Sequence, residues 1–116
     1  MLVVEDEAPV LRGFARMLEL IGYAVLTAPG GKQAIEIVRQ HGHRIDLVLL
    51  DMTMPEMNGS QTFDRLREIA PGIKVLLCSG FSIDSQAQKV LAKGCCGFIQ
   101  KPFDLRVLSA KLAEIL

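Results

Sequence analysis

Tryptophan is absent from this 116-residue chain, tyrosine occurs once and phenylalanine five times. So few rings leave little material for stacking nucleobases. A formal net charge of zero, from 13 basic and 13 acidic residues, gives no long-range grip on a phosphate backbone, so no direct nucleic-acid partner is expected. The three cysteines are odd in number and lack C-x-x-C spacing, which suggests neither a disulfide framework nor a zinc site. Cys78, Cys95 and Cys96 read as small buried thiols, with a redox role for the adjacent Cys95 and Cys96 as the lesser reading. No apolar run approaches the ~20 residues that span a bilayer, so no membrane contact is expected. Glu5, Asp6 and Glu7 interrupt Met1-Leu2-Val3-Val4 before the apolar region of a signal peptide can form, and the expected location is cytoplasmic.

What is present is a well-filled interior. Half of the residues are hydrophobic, and the length suits one domain, 1–116, with one core. Strand-like and helix-like periods alternate along it. Strands are predicted at 2–5, 23–28, 47–50, 73–78 and 97–100, and helices at 8–21, 32–40, 58–69, 83–93 and 104–116. His41-Gly42-His43 reads as a loop. In the first helix Val10, Leu11, Phe14, Leu18 and Ile21 share a face; in the second Ala34, Ile35 and Val38 do. Five strands alternating with five helices imply βαβ units, hence an α/β fold whose parallel sheet is covered on both sides. Right-handed crossovers favour the doubly wound strand order 2-1-3-4-5, which sets the first and third strands side by side.

In such a sheet the ligand crevice lies at the carboxyl ends of the strands. Three apolar runs end there in chemistry-bearing residues. Leu2-Val3-Val4 leads into Glu5-Asp6, Leu47-Val48-Leu49-Leu50 into Asp51, and Phe98-Ile99-Gln100 into Lys101-Pro102. Three carboxylates this close repel one another and call for neutralisation. Oxygen-only ligands suit Mg2+, which often binds together with a phosphoryl group. Lys101 adds a second positive charge, able to pair with Asp51 or with a group attached to it. The favoured chemistry is phosphoryl transfer onto a carboxylate. Ser79 follows the fourth strand and precedes Gly80, so its hydroxyl reaches the same rim and can donate to a phosphoryl oxygen; a turn cap is the plainer reading.

Other patterns carry less. Gly30-Gly31-Lys32 lacks the G-x-x-x-x-G-K-[ST] frame and reads as a helix entry. His41 and His43 have no further ligand nearby in sequence. Met52, Met54 and Met57 read as loop packing. Arg67 and Glu68, like Glu36 and Arg39, read as solvated helix charges.

The runs Val3-Val4-Glu5-Asp6-Glu7, Leu49-Leu50-Asp51-Met52-Thr53-Met54-Pro55 with Gly59, Leu77-Cys78-Ser79-Gly80, and Gly97-Phe98-Ile99-Gln100-Lys101-Pro102-Phe103, in this order, resemble the receiver domain of bacterial two-component response regulators over essentially the whole chain. The resemblance implies a flavodoxin-like three-layer sandwich. A member of this family is a standard example of the 2-1-3-4-5 order, so here the order is implied by likeness rather than derived independently.

It further implies that Asp51 is the phosphoacceptor, taking a phosphoryl group from a phosphohistidine on a histidine kinase or histidine phosphotransfer domain. Mg2+ would be held by Asp6 most directly, by Glu5 through metal-bound water, by Asp51 and by the Thr53 backbone carbonyl. Lys101 would contact the acyl phosphate, and Ser79 and Phe98 would form the switch pair. The Lys101-Pro102 peptide is expected to be cis. Glu5, Ser79 and Phe98 stand where aspartate, threonine and tyrosine are common in the family. Thr53 and Phe81 occupy positions that tune dephosphorylation.

The switch would be read on the face of the fourth helix, fifth strand and fifth helix, near Ile83, Gln86, Val90, Lys93, Phe98, Arg106 and Ala110. The reader would be a downstream effector or output domain, with room for a phosphorylation-dependent dimer. The domain would carry self-phosphorylation and autodephosphorylation chemistry, which leaves open whether it counts as an enzyme. The Ser79-Gly80-Phe81-Ser82 and Gly97-to-Phe103 stretches look most like receivers of hybrid sensor histidine kinases, so the chain reads as a piece of something longer whose parent could be such a kinase. Two other readings stand beside this one. One is a non-phosphorylated interaction module of the same fold, which would be marked by loss of an acid or of the lysine. The other is an aspartyl phosphohydrolase, which usually wants a second acid where Thr53 stands.

Overall fold

Leu2, Val3 and Val4 are all buried, yet they pack in opposite directions, as successive side chains of a strand must. The same alternation runs through the central strands and sorts the core into two halves. In the computed structural model, which describes residues 1–80 and 85–116, the elements are β1 (Leu2–Val4), α1 (Ala8–Leu20), β2 (Leu26–Ala28), α2 (Gly31–His41), β3 (Val48–Asp51), α3 (Gly59–Ile69), β4 (Val75–Ser79), α4 (Ser85–Ala92), β5 (Gly97–Gln100) and α5 (Leu105–Ile115). The sequence-based expectations for Phe81 and Ile83 lie outside the described residues.

The five strands are parallel in the order β2-β1-β3-β4-β5, as expected. On one side Leu2, Val4, Val48, Leu50, Val75 and Leu77 pack with Ala34, Ile35 and Val38 of α2, Phe63 and Leu66 of α3, and Val90 of α4. On the other, Val3, Leu49, Leu76, Cys78 and Ile99 meet Phe14 and Leu18 of α1 and Leu108 and Leu112 of α5. Each fully buried leucine of these layers contributes about 1.5–3 kcal/mol. Right-handed crossovers dictate this division of helices, α1 and α5 on one face and α2 to α4 on the other.

Several boundaries moved, each for a reason in the backbone. β2 is shorter than the expected 23–28 because its edge position leaves it only β1 to pair with, over Leu2 to Val4. Ile73 falls outside β4 because its N–H closes the preceding turn on the Ala70 carbonyl at 3.0 Å. The stretch read as a loop contains one 3-10 turn, Gly42–Arg44. Asn58 and Asp104, expected inside their helices, are N-caps. Asn58 forms a capping box with Gln61, and the Asp104 side chain accepts from the Val107 N–H. Of the cysteines, Cys78 is buried, but Cys95 is only half-buried and Cys96 is exposed, against the expectation of three buried thiols. Val90, expected on the output face, is fully buried because it fills the layer beneath α4. Arg67 is more than a solvated charge: it donates to the Gly94 carbonyl at 3.1 Å and lies over the Phe63 ring. Gly94 has φ +107°, so the turn that Arg67 holds is one only glycine adopts without strain.

Candidate functional site

Strand register decides which residues meet. Val4 is level with Leu50, so the residues that follow, Glu5 and Asp6, come level with Asp51 at the carboxyl edge of the sheet. Asp51 in turn pairs with Cys78, and Ser79 with Gln100, which brings Ser79 and Lys101 to the same edge. The Lys101 N–H donates to the Ser79 carbonyl at 2.7 Å and locks this corner. The Lys101–Pro102 peptide is cis.

The loop after β3 is shaped by a close approach. The Gly59 N–H donates to the Met52 carbonyl at 2.9 Å. A Cβ at Gly59 would stand 2.7 Å from the Met52 Cα and 2.8 Å from the Asp51 carbonyl oxygen. Only glycine lets the start of α3 sit so near the end of β3. Met52 and Met54 are buried and anchor the loop, and the Thr53 N–H donates to Asp51 Oδ1 at 3.4 Å.

Glu5, Asp6 and Asp51 each offer a carboxylate oxygen, and the three lie within 4.8 Å of one another. Glu5 and Asp51 are buried and Asp6 is exposed. Lys101 Nζ stands 3.1 Å from Glu5 Oε2 and 3.3 Å from Asp51 Oδ1. This pairing with Glu5 was not foreseen from sequence, which paired the lysine with Asp51 or with a group attached to it. Among the described residues, Glu5 Oε1 is buried without a hydrogen-bond partner. One ammonium therefore serves two buried carboxylates, and one of their oxygens is left over. Burial first, and then the neighbouring Asp51, push the Glu5 carboxyl up to about 7, against the opposing pull of Lys101. Burial works against the charge of Lys101, yet Asp51 and Glu5 outweigh it and hold the amine above its ordinary value. Burial, reinforced by Asp51, pushes the Cys78 thiol well up, so this sulfur below the site stays protonated.

These groups open onto a cleft of about 450 Å³ lined by Asp6, Glu7, Asp51, Thr53, Met54, Pro55, Gly80 and Lys101. It is open to solvent, with an exposed acid at its rim. A second hollow of about 230 Å³, between the β2–α2 and β3–α3 loops, is better enclosed but holds no comparable chemistry. The residues fit a small, hard divalent cation: three oxygen donors converge, and an orphaned buried carboxylate oxygen lacks the positive partner it needs. Ser79 is buried at the strand end beside this cleft, and Phe98 is half-buried against the α2–α4 side of the core.

A doubly wound α/β domain with an acidic cluster and a lysine at the carboxyl edge of its sheet defines a CheY-like protein. The response regulator receiver domain family model matches residues 1–113, and the chain belongs to that family, the receivers of two-component signalling. Its acidic cluster fits a phosphoacceptor site. The chain is 39% identical over 115 residues to the sensor kinase CckA of Brucella abortus (strain 2308), covering 99% of this chain and 12% of that protein. It is 35% identical over 115 residues to the transcriptional regulatory protein ZraR of Escherichia coli (strain K12), covering 99% of this chain and 26% of that one. A solved CheX–CheY–BeF3–Mg2+ complex from Borrelia burgdorferi superimposes with a TM-score of 0.93 at 26% identity, over 98% of this chain and 86% of the matched one. The chain thus spans a small part of the kinase and of the transcriptional regulator. No helix among the described residues is long and apolar enough to cross a membrane.

Proposed function

We propose that residues 1–116 form a phosphoacceptor receiver in a phosphorelay, with Asp51 as the residue phosphorylated. The observation that carries this is the convergence of Glu5, Asp6 and Asp51 within 4.8 Å, with Lys101 Nζ 3.3 Å from Asp51. An Asp51 carboxylate oxygen attacks phosphorus on a donor phosphohistidine. The new O–P bond forms as the P–N bond breaks, and the imidazole leaves with the bonding pair. Glu5, Asp6, Asp51 and the Thr53 carbonyl would hold Mg2+, which supplies neutralisation of charge on the phosphoryl oxygens. Lys101 neutralises a further share and, released from Asp51, contacts the acyl phosphate. Ser79 donates its hydroxyl to a phosphoryl oxygen.

The charge added at Asp51 draws Ser79 and Lys101 inward and biases the face of α4, β5 and α5, with Phe98 following Ser79. Gln86, Arg106 and Ala110 are exposed there and available to an output domain, an effector or a second copy, whereas Lys93, expected on that face, is paired with Asp64 of α3 at 3.0 Å. The donor is a histidine kinase or a histidine phosphotransfer domain. CheX accompanies CheY in the Borrelia complex, and a partner of that kind is a second class of partner for this domain. We assign the parent to the hybrid sensor histidine kinases, on the 39% identity with CckA; receivers in such chains work in the cytoplasm.

The test is incubation of the domain with acetyl phosphate and Mg2+. One phosphoryl group per chain should appear, and none in Asp51→Asn or after chelation. Labelling that persists in Asp51→Asn, or no labelling of the intact domain, would sink the reading.

A further inference from the structure

Lys101 carries a long flexible side chain, and something must hold its tip in the cleft. Its backbone is fixed by the bond from its N–H to Ser79, and its ammonium is drawn to Glu5 and Asp51. Between those ends lies Phe14 of α1, buried to 7% exposure, with the Lys101 ammonium 5.9 Å from its ring centroid. Phe14 also stacks on Phe103, two residues beyond the lysine, with centroids 4.8 Å apart and planes inclined by 25°. The far side of Phe103 is tied down by Asp104, which caps α5 through the Val107 N–H at 2.9 Å. The segment 101–103 therefore closes onto one ring of another helix at both its ends.

We propose that Phe14, braced by Phe103, is a positioning residue for Lys101: its ring face holds the ammonium beside Asp51 and limits the other paths the side chain could take. Phe14 meets the site through the Lys101 ammonium, and its effect runs through the lysine. An aromatic face attracts a cation electrostatically, whereas an aliphatic side chain of similar bulk offers packing alone. At 5.9 Å the ammonium lies near the outer limit of that attraction, so the expected contribution is a few-fold in rate, about three-fold. The inference rests on Asp51 being the phosphoacceptor.

The experiment uses the intact domain with 3,4,5-trifluorophenylalanine incorporated at position 14, which keeps the ring's shape while draining its negative face. A second variant is Phe14→Leu. Initial rates of phosphorylation by acetyl phosphate are measured at saturating Mg2+, with Mg2+ affinity by calorimetry and the thermal midpoint alongside. The fluorinated domain should keep the wild-type thermal midpoint and Mg2+ affinity and lose about three-fold in rate, and Phe14→Leu should be at least as slow. A fluorinated domain at the wild-type rate overturns the inference, because a merely structural ring would be spared by that change. Should the wild-type domain itself take up no phosphate, the assignment of Asp51 falls first and this inference with it.

Discussion

Glu5 gives the sharpest pH test. In the folded, metal-free protein its carboxyl is pushed up to about 7 by burial and by Asp51, whereas in the unfolded chain it titrates near 4.5. Below 4.5 Glu5 is protonated in both states and carries no penalty. As pH rises from 4.5 to about 7 the unfolded chain ionises it freely while the fold resists, so stability falls across that window and levels off above it. At ~1.36 kcal/mol for each tenfold change, the gap amounts to about 3 kcal/mol. The measurement is urea unfolding in EDTA at pH 5 and pH 8, for the wild type and for Glu5→Gln, a neutral isostere that feels no such penalty. The wild type should lose about 2–3 kcal/mol more than Glu5→Gln between those pH values, the part of the gap that falls between pH 5 and pH 8. Titrating groups away from this cluster cancel in that difference. Equal losses in the two proteins would refute the burial argument for Glu5.

Three further outcomes follow from the same geometry. Mg2+ affinity should rise up to about tenfold per pH unit below 7 and level off above it, because the cation competes with the proton on Glu5; calorimetry at a series of pH values measures this. Lys101→Met should slow phosphorylation by acetyl phosphate by about 10² or more while leaving Mg2+ binding intact or tighter, since the variant removes a cation from the acidic cluster. Gly59→Ala should destabilise the domain by about 1–3 kcal/mol in urea unfolding, because its Cβ meets the Met52 and Asp51 backbone rather than a side chain that can move.

The alternation of apolar runs made the parallel sheet legible in the sequence, its strand order came with the family resemblance, and the acids and the lysine at strand ends pointed to the site. Sheet and site both depend on local pattern plus the handedness of crossovers. What escaped depends on which side chains meet across layers. Phe14 was readable as an inward residue of α1, yet its stack with Phe103 and its place under Lys101 required knowing that α1 and α5 share one face. The side of each crossover contained that signal. The link from Arg67 to Gly94 had a weaker trace, a glycine ending α4, and nothing in sequence marked its partner. The pairing of Lys101 with Glu5 escaped because a strand-end pattern does not say how deeply each acid is buried, and Glu5 is 1% exposed whereas its neighbour Asp6 is exposed.

The central claim is that one carboxylate, Asp51, receives the phosphoryl group. An acyl phosphate is reduced by borohydride to an alcohol, which converts a phosphorylated aspartate to homoserine. After treatment with acetyl phosphate and Mg2+, reduction and digestion, mass spectrometry should find homoserine at position 51 and aspartate at Asp6, with no homoserine formed when Mg2+ is chelated. Homoserine at another acid, or at none, would contradict the account.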